Sequence, residues 1–163
     1  MSVNKHKPHV LLLPEDDANR QIARGFQGEL SAIDQHMRIE PVAGGWLKVL
    51  ECFKSVHAVD MERLPHRNLV LLIDFDDKPE RLTEAKDYIP SHLNDRVFIL
   101  GALTEPEDLK QAIGSFEYIG RALAKDCREG TNTTWGHEML RHNADEVVRL
   151  RKWARPILFG ATH

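Results

Sequence analysis

The chain has little cysteine, no long apolar run and no excess of basic charge, and each shortage removes a class of protein. Its two cysteines, Cys52 and Cys127, stand far apart in helix-like stretches. They form neither a zinc-ligand spacing nor a disulfide framework, which suits a reducing cytoplasm. No apolar run approaches the roughly 18 residues that a membrane-spanning helix needs, so no membrane role is expected. The N-terminus is polar and runs straight into the first predicted strand, without the pattern of a signal peptide. A formal net charge of −3 over 163 residues gives no global basic field. Tight binding of nucleic acid through charge alone is therefore not expected, and any such contact needs a local basic patch or a metal bridge. Repeats, low-complexity tracts and a convincing linker are also missing, so 1–163 reads as a single domain large enough for a full core.

Several catalytic signatures are lacking too. There is no G-x-S-x-G elbow, and neither cysteine has an obvious activating neighbour. Gly44-Gly45 cannot form a P-loop, because Lys48 lacks the preceding glycine spacing and no Ser or Thr follows it, so no nucleotide cofactor is expected. His137 and His142 flank Glu138 but stand five apart, whereas zinc proteases need histidines at i and i+4 on one helix face.

What the chain does contain is two acidic clusters, each placed where an apolar run stops. Val10 to Leu13 lead into Glu15, Asp16 and Asp17, and Leu69 to Ile73 lead into Asp74, Asp76 and Asp77. Short apolar runs bounded by polar residues read as buried parallel strands, here 9–13 and 69–73. Two weaker strands are expected at 37–42, edge-like because Pro41 cannot donate to a ladder, and at 96–100. Between them lie predicted helices. Ile22, Phe26, Leu30 and Ile33 recur at helical spacing behind a cap at Asp16 or Asp17. Trp46, Val49, Leu50 and Phe53 follow the Gly44-Gly45 turn, and a helix over 81–89 is capped by Asp77. After Leu100 the alternation stops, and the pattern predicts helices over 105–113, 115–128 and 137–153. Pro156 ends the last of these, and 157–159 form a short strand or docked tail. Trp135 and Trp153 read as packing anchors. The expected fold is α/β: a compact parallel sheet of about four strands flanked by helices, with a C-terminal helical extension.

In such sheets ligands bind beyond the carboxyl ends of the strands, so the two acidic clusters are expected to share one site. Carboxylates crowded together repel, and a hard divalent cation with oxygen ligands relieves that repulsion. The backbone N–H groups of Gly44 and Gly45, at a helix start, are candidates for approaching a phosphate. Arg141, Arg149, Arg151, Lys152 and Arg155 form the one basic concentration in the sequence. They read either as phosphate contacts or as an outer face balanced by Glu138, Asp145 and Glu146.

The order of signals resembles a Toprim domain, the metal-binding α/β module of topoisomerases, bacterial primases, OLD-family nucleases and small ribosomal-RNA maturases. The matching residues are Glu15 after the first strand, Gly44-Gly45 after the second, and Asp74-Phe75-Asp76 after the third. The resemblance spans residues 8–110 and leaves 111–163 as the helical extension. It implies that Glu15 is a general acid/base or metal ligand and that Asp74 and Asp76 bind Mg²⁺ (or Mn²⁺). Glu105 or Glu107 would stand for the acidic residue that OLD-type members carry after the fourth strand. Asp16 departs from the family, which often has glycine there. The segment EDDAN also resembles a response-regulator receiver, with Asp74 as phosphoacceptor. Against that stand the long gap from Glu15 to Asp74, Gly101-Ala102 where a hydroxyl belongs, and the lack of a fifth strand ending in Lys-Pro.

The expectation is thus Mg²⁺-dependent phosphodiester hydrolysis of DNA or RNA by a cytoplasmic, standalone Toprim-like nuclease. Tyr88 and Tyr118 lie in helices without a supporting pattern, which disfavours topoisomerase chemistry. The alternative is a non-catalytic binding or regulatory module, degenerate Toprim or receiver-like, acting with a protein partner in a multi-protein system such as phage defence. Convergence of Glu15, Asp74 and Asp76 favours the enzyme; a Lys or Arg salt-bridged into the cluster favours the module.

Overall fold

A computed structural model describes residues 3–30 and 36–159. Among these, four strands form one all-parallel sheet in the order β2-β1-β3-β4: β1 His9–Pro14, β2 Met37–Ile39, β3 Arg67–Leu72 and β4 Val97–Leu100. Helices α1 Asp17–Gln27, α2 Trp46–Cys52, α3 Ala58–Arg63, α4 Arg81–Lys86, α5 Pro106–Ala112, α6 Phe116–Glu129 and α7 Ala144–Leu158 surround it.

The strands are apolar throughout because successive side chains enter opposite cores. Leu11, Leu13, Leu69, Leu71, Val97 and Ile99 face one core, beneath α2, α3 and α4. Val10, Leu12, Val70, Phe98 and Leu100 face the other, which α1, α5, α6 and α7 cover. The C-terminal third of the chain therefore supplies much of one of the two core layers. Trp135 is buried there, with its Nε1–H donated to the Leu123 carbonyl at 3.2 Å, and Trp153 packs at the same core's margin. Helices α1 and α6 touch backbone to backbone. A Cβ on Gly120 would lie 1.9 Å from the Ile22 carbonyl oxygen, and one on Gly25 would lie 2.1 Å from that of Glu117.

Both sheet edges are managed differently. At β2 Glu40 N–H still reaches Leu12 O at 2.8 Å, and the next residue, Pro41, falls on the outer side of the strand, where its missing N–H costs no bond to β1. At β4 the free edge is paired by side chains instead of a fifth strand. Asn143 accepts from Gly101 N–H at 3.2 Å and donates to Gly101 O at 3.0 Å. The Glu146 carboxylate, 1 % exposed, accepts from Ile99 N–H at 2.9 Å. Arg149 donates to the Asn94 carbonyl at 2.6 Å and lies over the Phe98 ring at 4.9 Å. Covering an edge in this way removes the unpaired N–H and C=O groups that would invite another strand.

Four expectations need correction. The segment 137–143 is turns and a short 3₁₀ helix, Arg141–Asn143, because it must deliver Asn143 to the β4 edge; α7 begins only at Ala144. Pro156 sits inside the end of α7, which takes up Ile157 and Leu158. α2 continues through a π-helical turn, Phe53–His57, directly into α3, so the helix after Gly44-Gly45 is far longer than its apolar stripe suggested. α1 ends at Gln27, which places Leu30 beyond it, and Ile33 lies outside the described residues.

Candidate metal centre

In the order β2-β1-β3-β4, the chain leaves β1 toward one edge and β3 toward the other. The crevice at the carboxyl ends of β1 and β3 is thus the topological switch point, the usual ligand position in open α/β sheets. Glu15 follows β1 directly and Asp74 lies two residues past β3. The sheet pairing carries on past the strand ends through Glu15 N–H to Leu72 O at 2.9 Å and Ile73 N–H to Leu100 O at 2.9 Å. It holds the two acids side by side.

Three carboxylates converge there: Glu15, Asp16 and Asp74 each offer an oxygen within 4.8 Å of the others. Glu15 Oε1 accepts the Asp74 backbone N–H at 2.8 Å. Asp16 has two jobs. Its Oδ1 caps α1 by accepting Asn19 N–H at 3.0 Å, and it also accepts the Asn19 side-chain amide at 3.0 Å. That same amide donates to Asp74 Oδ1 at 2.8 Å, so buried Asn19 bridges two of the acids.

Burial first, and the neighbouring acids after it, govern the titration of the group. Burial, with Glu15 and Asp16 close by, raises the Asp74 pKa from 3.8 to about 7 against the opposing Asn19 hydrogen bond. Burial, and then the neighbouring acids, raise Glu15 as well, partly offset by the Asp74 N–H and by Arg81. A cluster of oxygens that holds protons this tightly is one that a cation would stabilise. Glu15, Asp16 and Asp74 can hold a metal ion.

Asp76 and Asp77 leave the crevice. Both have left-handed backbone, φ 53° and 57°, a conformation that aspartate tolerates better than most residues. Asp77 N–H is tied to Leu103 O at 2.7 Å. The turn carries the Asp76 side chain out to 63 % exposure, where it pairs with Arg81 at 3.3 Å. Asp77 does not cap α4; Glu80 occupies that position, with no side-chain cap bond. Arg81 is nearly buried, donates to the Asp74 carbonyl at 2.8 Å and lies over the Trp46 ring at 4.4 Å.

The other candidates are placed as follows. Glu105 and Glu107 are exposed at the start of α5 and outside the cluster. Gly44 and Gly45 have φ 94° and 151°, a conformation that requires glycine, and the Gly44 N–H is donated to Glu15 O at 2.8 Å. That bond fixes the end of β1 and leaves this N–H bound within the protein. Arg149 serves the β4 edge, Arg151 donates to Thr131 O, and Arg141 is exposed. Sequence reasoning missed Asp16 as a member of the cluster, having read it as a helix cap, and missed Asn19 and Arg81. The signal for Asn19 was present, as a polar residue three positions past an acidic helix cap, on the helix face that turns inward; Arg81 carried none.

Fold and site together define a doubly wound α/β protein with a carboxylate cluster at its switch point. No protein-family model and no curated protein matches the chain. Among the described residues, no helix is long and apolar enough to cross a membrane.

Proposed function

We propose that this protein is a Toprim-like, Mg²⁺- or Mn²⁺-dependent nuclease that hydrolyses phosphodiesters of DNA or RNA at Glu15, Asp16 and Asp74. The observation that carries the reading is the convergence of these three carboxylates within 4.8 Å at the switch point. An all-oxygen donor set of this charge suits Mg²⁺ or Mn²⁺ and not a softer metal. A cation bound there supplies electrostatic stabilisation to the charge that develops on the phosphate. Asp74 and Asp16 would hold it, with Asn19 hydrogen-bonded to both carboxylates. Glu15 keeps Oε1 on the Asp74 N–H, and its other oxygen would take a proton from an attacking water. Arg81 holds the β3–α4 turn through the Asp74 carbonyl and Asp76.

Purified wild type, Glu15→Gln and Asp17→Asn are compared on single- and double-stranded DNA and on RNA with Mg²⁺ or Mn²⁺. Glu15→Gln is expected to lose roughly 100-fold or more in rate, the scale of a general base. Asp17→Asn stays within about twofold, because Asp17 is exposed and engaged with Arg20 and Gln21. Full activity of Glu15→Gln removes it from the mechanism.

A second reading draws support from Arg81, whose ion pair with Asp76 puts a protein cation beside the cluster. In that reading the site is a non-catalytic module that works through a protein partner. Divalent-ion binding without turnover on any nucleic acid would select it, as would tighter ion binding in Arg81→Gln with still no turnover.

A further inference from the structure

A groove of about 390 Å³ lies between the outer face of α1 and the β2 edge. Arg20, Arg24 and Gln27 line it from α1, on one helical stripe, and Arg38 and Glu40 line it from the β2 side. Three arginines face one glutamate in a chain whose formal net charge is −3. With Arg20 paired to Asp17 and Arg38 to Glu40 a net positive charge remains here, on a face where the sequence showed no basic run, because its members come from separate segments. Gln27 Nε2 donates to Met37 O at 3.0 Å and ties α1 to β2 along the groove. Arg38 is held by a two-pronged pair with Glu40, at 2.8 and 3.2 Å, which leaves donors of its guanidinium over. Arg20 is paired with Asp17, and Arg24 is exposed and makes no ion pair among the described residues.

The groove adjoins the carboxylate cluster through α1 itself, whose capping residue is Asp16. Eight residues separate Asp16 from Arg24, about 12 Å along the helix. One phosphate cannot engage both places. A nucleic-acid strand, which carries phosphates in series, spans that length.

Resting on the nuclease reading above, we propose that the α1/β2 groove is the track that holds the substrate strand, with Arg20, Arg24 and Arg38 on its phosphates. These are substrate-binding residues; the chemistry belongs to the cluster.

The test is fluorescence polarisation of labelled 20-nucleotide single-stranded DNA and RNA against salt, with and without Mn²⁺. Wild type is compared with the double variant Arg20→Ala, Arg24→Ala, with Arg24→Glu alone, and with Arg141→Ala, Lys152→Ala on the opposite basic stretch. Arg24→Glu guards against a folding artefact, because this exposed side chain holds nothing in place; thermal melts accompany all variants. The expected result is a loss of about tenfold or more in affinity for the double variant. Its plot of log K against log salt flattens by about 1.5, two single-strand phosphate contacts at roughly 0.7 each. Arg24→Glu weakens binding too, and the Arg141, Lys152 variant keeps the wild-type slope. Whichever oligonucleotide binds names the substrate as DNA or RNA. Failure of wild type to bind either one overturns the proposal, and so does a double variant with wild-type affinity and slope. The two readings fail separately. A flattened slope without Mn²⁺-dependent cleavage upholds the groove and sinks the nuclease, whereas wild-type cleavage and KM in the double variant sink the groove alone.

Discussion

Replacing Asp74 by asparagine separates a site built to hold a cation from a solvated strand end. Asp74 is 9 % exposed and shares the crevice with Glu15 and Asp16. Asparagine has the same shape, keeps an acceptor for the Asn19 amide, and offers N–H donors where the carboxylates crowd. In the wild type, the Asp74 pKa rises from 3.8 to about 7. Between those values the folded state binds more protons than the unfolded state, so stability falls as pH rises through the window and levels off above it. At about 1.4 kcal/mol per pKa unit, the full cost to the metal-free protein above pH 7 is on the order of 4 kcal/mol. Asp74→Asn does not titrate and escapes it. Near pH 4 the two proteins are expected to melt alike. By pH 8 in a chelator, the variant should be more stable, with a melting point roughly 8–16 °C higher for a chain of this size. Mn²⁺ or Mg²⁺ reverses the order: wild type gains about 2.7 kcal/mol at a hundredfold excess over Kd, and the variant gains little. Melting curves at three pH values, with chelator and with metal, decide the matter. The reasoning is refuted if the variant is the less stable protein at pH 8 without metal, or if metal raises both equally.

Two further predictions concern the frame around the site. Glu146→Ala leaves the Ile99 N–H buried without an acceptor and takes from Lys86 and Arg149 their ion-pair partner, a cost of about 3 kcal/mol by urea denaturation. Glu146→Gln, which keeps the acceptor, should lose less than half of that. Gly120→Ala would drive a methyl to 1.9 Å from the Ile22 carbonyl oxygen, so it should cost at least about 2 kcal/mol. Gly28→Ala is the control on the same assay, since its nearest neighbour lies at 3.4 Å and little change is expected.

The parts of this protein legible in its sequence are those where local chemistry and burial agree. β1, β3 and β4 show as continuous apolar runs because each is covered on both faces. Pro41 marked β2 as an edge, and β2 is one. Glu15 and Asp74 stood out because each terminates such a run. The long helix expected over 137–153 went astray because a charged, periodic stretch carries no sign of what its polar residues bond. Asn143 and Glu146 look like surface residues in sequence and are both 1 % exposed in the fold, against the edge of β4.

The sequence by itself determined that the chain forms a parallel α/β sheet with acids at the ends of two strands, since hydrophobic period and turn chemistry act over a few residues. Only the tertiary structure decided which acids meet. Asp16 joins Glu15 and Asp74 because α1 begins at the crevice and Asn19 ties the two aspartates together. Asp76 turns outward because the backbone after β3 goes left-handed and Arg81, seven residues after Asp74, takes its carboxylate. Likewise the arginines of the α1/β2 groove become one patch only when strand pairing brings residue 38 beside residue 24. Electrostatics acts through space, and a distance through space is what a linear sequence does not record.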